Sequence, residues 1–233
     1  MPSESSLSFS LNIEPKQTET VQNGFYISPN RRTYYIQPVY EYELYGLVVS
    51  KYNTRRAIAA SFDADFNVTD LCVVWGQNAL DGIYKDIKFS NTDSTCEPYF
   101  RTREAYNAYL KGEKGAFKPT QFSNNHLLAP TSGLARKFRN IKVGDQVYIK
   151  GYLVNYGPSP QNIIRKTSTT RTDRGRGSEE SIYVTEFDIL HHTYWYYLFW
   201  FSLICLVIFS SLWYYTDTHK EQKEWHDLHR KNF

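Results

Sequence analysis

Apolar positions follow three patterns along this chain. In 42–76 and 141–190 they form short runs or alternate with polar residues, in 194–215 they dominate with only Ser202, Ser210 and Ser211 between them, and elsewhere they are scattered. The run 194–215 holds no charge and no proline. At 1.5 Å per residue it is about 33 Å long, enough for a hydrocarbon core of about 30 Å. Tyrosine and tryptophan crowd both of its ends (194–197 and 213–215), where amphipathic rings settle at headgroup depth. A transmembrane helix over 192–216 is expected, followed by a polar amphipathic tail over 217–233.

The alternating regions predict strands. Residues 42–52 (YELYGLVVSKY) and 68–76 (VTDLCVVWG) are rich in β-branched and aromatic residues and bounded by Asn, Asp and Gly. The second is apolar on both faces and reads as a central strand. In 141–156 (IKVGDQVYIKGYLVNY), Gly144-Asp145 makes a turn, after which Val147, Ile149, Gly151 and Leu153 share one phase. Gly151 inside a strand suits sharp coiling. Residues 157–160 (GPSP) turn the chain back toward a partner beginning at Ile163. In 181–190 the apolar phase shifts between Val184 and Phe187, which predicts a β-bulge near Thr185-Glu186.

Two short helices interrupt the strands. One spans 102–111, with Thr102 as N-cap and Gly112 as stop, and the second spans 133–138. Residues 117–130 (FKPTQFSNNHLLAP) read as an ordered loop. Residues 1–22 are polar and Ser/Thr/Glu-rich and read as a disordered tail. The fold class is therefore mainly β: a small OB-like barrel domain over 23–191 with one or two short helices, plus one C-terminal transmembrane helix.

Composition refines this picture. A mean hydropathy of -0.54 belongs to a polar protein, so the apolar run is an exception within it. Twenty tyrosines against one methionine suit half-buried sheet positions. Cys205 falls inside the apolar run, which leaves Cys72 and Cys96 as the possible intradomain pair. Their disulfide is allowed but not implied, and Cys72, within an apolar run, reads as a buried thiol. Residues 1–22 show neither a basic nor an apolar signal region, which favours a tail-anchored protein with the large domain cytoplasmic. The Lys and Arg that follow the helix favour the alternative, a periplasmic domain.

Charge is localised. The segment 165–177 (RKTSTTRTDRGRG) carries Arg165, Lys166, Arg171, Arg174 and Arg176 against Asp173, a local +4 in a chain of net +3, so the remainder sums to -1. Such a hairpin suits phosphate of nucleic acid or of anionic lipid. The plainer reading is a solvated hairpin whose arginines pair with Glu179, Glu180 and Glu186. Nucleic acid is the less favoured ligand, because aromatic residues are not interleaved with these arginines.

His126 could act as a general base, with Asp173 orienting it and Ser168 as nucleophile, although no nucleophile motif is present. His219, His226 and His229 would share one helix face, which a membrane-surface helix explains equally well. No cofactor and no metal are expected. In order, the motifs YELYGLVV (42–49), VWG (74–76), SNNHL (123–127), VGD with KGYL (143–153) and TS-RTD-G-G (167–177) resemble a group of bacterial membrane-anchored proteins of uncharacterised activity. Members carry cysteine where this chain has Glu179. The resemblance implies a bacterial inner-membrane, single-pass protein, with His126, Ser168, Arg171 and Asp173 lining any shared site. The function expected from the whole is a membrane-anchored binding module without catalysis, with membrane lipid and a protein as partners. The alternatives are a binder of nucleic acid or anionic lipid and a membrane-tethered hydrolase using His126.

Overall fold

The computed structural model describes residues 9–29, 32–54, 62–63, 66–92, 95–170 and 179–230. These residues divide into two compact units, 1–193 and 194–233. Among the described residues of the first unit nine strands are formed: β1 Lys16–Glu19, β2 Phe25–Ile27, β3 Tyr34–Asn53, β4 Asn67–Val74, β5 Ile87–Asn91, β6 Cys96–Phe100, β7 Phe122–Leu128, β8 Gln146–Gly157 and β9 Glu180–His191. Helices α1 Gly76–Leu80, α2 Arg103–Lys111 and α3 Ser132–Asn140 lie between them.

The pairing order is β1-β3-β4-β7-β9-β8, and β8 pairs again with β3. All of these pairings are antiparallel except β7 with β9, which is parallel. β3 is twenty residues long and serves as the spine, pairing with β1, β2 and β4 as well as with β8 along Tyr35 to Leu47. Its length follows from sequence: aromatic and β-branched residues recur along it, and Pro38 falls where the register with β8 shifts.

The main core lies on one face of the five strands that complete this circuit. Leu44 and Val48 of β3, Leu71 and Val73 of β4, Leu127 of β7, Val147, Ile149 and Leu153 of β8, and Ile182 and Val184 of β9 pack together there with Phe138 of α3. Two smaller clusters cover parts of the other face. β8 closes tightly on β9: a Cβ at Gly151 would strike the Tyr183 carbonyl oxygen, so glycine is required by the close approach. The register shifts beside it, leaving Thr185 unpaired between Val184 and Glu186, which is the expected bulge.

Both helix expectations hold. Thr102 caps α2 by accepting the Ala105 amide at 3.1 Å, and Gly112 ends it in the left-handed conformation. Thr131 caps α3 by accepting the Leu134 amide.

Four expectations are corrected. The loop expected over 117–130 contains β7, a central strand whose Ser123, Asn124, Asn125 and His126 are all buried. The expected N-terminal tail is ordered from Phe9 onward: Leu11 is buried, Glu14 accepts the Trp75 indole N–H at 3.0 Å, and β1 pairs with β3. After the turn at 157–160, the returning chain makes an isolated bridge to β8 at Tyr156–Arg165 instead of forming a strand. Cys72 is not a free thiol but is disulfide-bonded to Cys96, which ties the β5–β6 hairpin to central strand β4.

The second unit is a single helix, α4 Trp195–Arg230. Within it Tyr197–Gln222 is long and apolar enough to cross a membrane, with a mean hydropathy of 1.8 over its most apolar window. Over 217–230 the polar tail continues the same helix, so its thirty-six residues span about 54 Å.

Candidate functional site

Polar side chains inside central strands mark a region where burial must be compensated electrostatically. Asp70 of β4 pairs in register with His126 of β7, and His126 with Ser181 of β9. Strand alternation puts these three on the face opposite Leu71, Leu127 and Ile182, away from the main core. Residues from two connections reach that face. The β3–β4 connection brings Asp63, and the chain leaving β8 brings Arg165 and leads toward Glu179 at the start of β9.

His126 is the centre of the network and is fully buried. Its Nδ1 lies 2.7 Å from Asp70 Oδ1, and its Nε2 lies 3.1 Å from Asp63 Oδ2. Tyr156 donates its hydroxyl hydrogen to Asp63 Oδ2 at 2.5 Å, and that hydroxyl oxygen is 2.9 Å from Nε2. The Asn67 amide approaches Nδ1 at 3.3 Å. Burial works against a charged ring, but the Asp70 and Asp63 carboxylates outweigh it and hold His126 up to about 10. The ring is therefore an imidazolium at neutral pH with both N–H groups engaged.

Arg165 extends the network outward. Its guanidinium bonds Glu179 through Nη1, and its Nε lies 3.6 Å from Asp63. Burial pushes the Glu179 carboxyl up, against the pull of His126 and Arg165. Three carboxylates thus face two cations in a space from which water is largely excluded, where breaking one pair costs about 3–5 kcal/mol. Beside them the Asn124 amide, Ser181 Oγ and Glu179 Oε2 are buried without a hydrogen-bond partner among the described residues.

The candidate residues distribute unequally over this geometry. His126 and Arg165 meet through Asp63. Arg165 is not an exposed phosphate ligand, because its charge is spent on Glu179 and Asp63, and this is a correction to the binding-edge reading. Lys166 is exposed. Ser168 is buried, and its Oγ donates to the Thr170 carbonyl and accepts the Thr170 amide, a local turn instead of a nucleophile position. Arg171, Asp173, Arg174 and Arg176 lie outside the described residues.

Sequence reasoning missed Asp63, Asp70 and Tyr156, whereas Glu179 was among the acidic partners expected for these arginines and does pair with Arg165. For Asp70 a signal existed: a carboxylate within an otherwise apolar central strand demands a buried partner. Among the described residues no group of three His, Cys, Asp or Glu is arranged to hold a metal. His219 of the tail stacks edge-on with Tyr215 at 4.2 Å, and the side chains of His226 and His229 lie outside the described residues.

A second feature is open to solvent. Lys16 and Thr18 of β1, Glu41 and Glu43 of β3, Lys150 and Tyr152 of β8, and Thr185 line a polar groove of about 350 Å³. Register places Lys16, Glu43, Lys150 and Glu186 in one row across four strands, with charges alternating in sign. Comparison with known protein families, curated proteins and solved structures finds no match to this chain.

Proposed function

We propose that this chain is a single-pass membrane protein whose sheet closes into an OB-like barrel and serves as a binding module for a protein partner, with no chemistry of its own. The observation that carries the reading is the engagement of His126 by two carboxylates. A histidine that is already protonated, buried and paired at both nitrogens has no lone pair for a general base, which argues against the hydrolase alternative. The return of β8 to β3 and the parallel β7–β9 pair support the barrel, since they give the five-strand order of that architecture. The solvent-facing polar groove is the surface offered for recognition.

The basic segment supports the second reading, nucleic acid or anionic lipid, less well now that Arg165 is engaged. The resemblance to bacterial membrane-anchored proteins supports an inner-membrane location. The Cys72–Cys96 disulfide supports a domain on the oxidising, periplasmic side, as do the cations after the apolar run, and the cytoplasmic placement has the weaker support.

Photo-crosslinking in intact cells, from probes at Lys16, Glu41 and Lys150, tests the module. A discrete adduct that Lys150→Glu abolishes is expected, whereas no adduct from any of the three positions overturns the reading. Protease access to tags at each end in spheroplasts decides the orientation, and a protected domain would refute the periplasmic placement.

A further inference from the structure

The folded domain ends beside a cluster of cations. Thr193, the last residue of the first unit, is held by Asp145, whose Oδ1 accepts the Thr193 amide at 2.8 Å and whose Oδ2 accepts the Lys142 amide at 2.8 Å. The apolar sequence starts at the next residue. The turn that Asp145 anchors directly follows α3, and α3 is held against β9 by the Phe138–Phe187 ring contact and by Lys137, which donates to the Phe187 carbonyl at 3.1 Å.

Arg136, Lys137 and Arg139 of α3 and Lys142 of the turn after it thus lie on one continuous segment, whose end is tied to the last residue of the domain. Arg136 and Arg139 are exposed, lie three residues apart on one face of α3 and have no ion pair among the described residues. Within the cluster, Lys137 pairs with Asp188 at 3.4 Å. Val143 at the turn and Leu190 near the end of β9 are exposed apolar side chains, 51% and 43% accessible. Exposed cations together with exposed aliphatic groups match a leaflet of anionic headgroups over acyl chains.

We propose that α3 and the turn after it form a docking surface for anionic phospholipid, binding the domain to the leaflet its own helix enters. This rests on the membrane-anchor reading and assigns lipid recognition to residues other than the 165–176 segment. The surface is fixed by hydrogen bonds at both ends, through Asp145 to Thr193 and through Lys137 to β9, so contact with lipid needs no rearrangement of the fold.

Amide hydrogen exchange on the full chain in nanodiscs tests it. In phosphatidylglycerol discs, exchange over 136–145 is expected to be slower than in phosphatidylcholine discs by at least about five-fold, the factor one basic residue near an anionic leaflet contributes. Arg136→Glu with Arg139→Glu removes the difference, whereas Lys114→Glu with Lys118→Glu, the same charge change at exposed positions outside the cluster, keeps it. Should charge reversal disturb α3, Arg136→Gln with Arg139→Gln shows the same loss. Equal exchange in the two lipids, or a difference that survives both arginine pairs, overturns the docking surface and leaves the anchor intact. A chain that does not enter discs at all overturns both.

Discussion

Asp145 holds Thr193 through a 2.8 Å hydrogen bond, fastening the final residue of the domain to the turn that opens β8. The same carboxylate accepts the Lys142 amide, so both oxygens are committed to backbone and the side chain is fully buried. Asp145→Ala should cost about 2–4 kcal/mol, because two amides lose charged acceptors at once. Local exchange at 191–193 should rise before global unfolding, and unchanged exchange there would show that the strand end is held by other means.

His126→Ala is expected to destabilise the domain by about 3–5 kcal/mol, since Asp63 and Asp70 would remain buried without their cation. Denaturant melts with the disulfide intact measure this. A loss below about 1 kcal/mol would mean that water reaches the face freely.

Stability should fall with rising pH in one defined window. His126 is held up to about 10 in the fold against about 6.5 when unfolded, so its contribution is complete below about 6.5 and lost as pH rises toward 10. Lys51 acts oppositely. Burial pulls its ammonium down to about 8, with Asp145 working the other way, so between 8 and 10.5 the unfolded chain holds the extra proton and stability rises with pH. The two contributions offset each other above pH 8. The expected profile is a drop of about 2 kcal/mol between pH 6.5 and 8, then a plateau. In Lys51→Met the decline should continue to pH 10, and a flat profile from 6.5 to 8 in the native chain would contradict the charged His126.

Lys51 also closes α3. Its Nζ donates to the carbonyls of Phe138, Arg139 and Ile141 at 2.8–2.9 Å, satisfying groups that a helix C-terminus leaves open. Lys51→Met should therefore cost about 2 kcal/mol at neutral pH, read as faster exchange in the last turn of α3.

Gly151→Ala should destabilise by at least about 2 kcal/mol, because the added methyl meets the backbone of β9. Thr185, the bulged residue facing this approach, is the position from which compensating substitutions are expected.

The legible parts of the fold were those written locally. Thr102 and Gly112 bound α2 by cap chemistry that three or four residues decide, and the bulge at Thr185 was visible as a phase change within one strand. β7 was hidden because Ser123, Asn124, Asn125 and His126 lack apolar periodicity, and the burial of Asn125 and His126 is compensated by Leu71, Asp70 and Asp63 from outside the strand. The clasp joins positions 63, 70, 126, 156, 165 and 179, which no sequence spacing connects. His126 and Ser168 could be singled out as chemistry-bearing types, yet only the fold shows that one is saturated and the other is a turn. The disulfide was undecidable for the same reason: a Cα separation of 6.0 Å is a property of β4 and the hairpin together, not of the sequence separation of 24.

The pairing of β3 with β8 sets the order of events during synthesis. Residues Tyr35 to Leu47 meet partners roughly a hundred positions later in the chain, so closure must wait for most of the domain to emerge. β9, which joins β7 to β8, is followed within four residues by α4, and the closing strand and the apolar helix leave the ribosome almost together. The β3 edge destined for β8 therefore stays unpaired through most of translation, exposed to other chains. A chaperone or translocation factor that shields this edge would act before the helix is available to anchor anything.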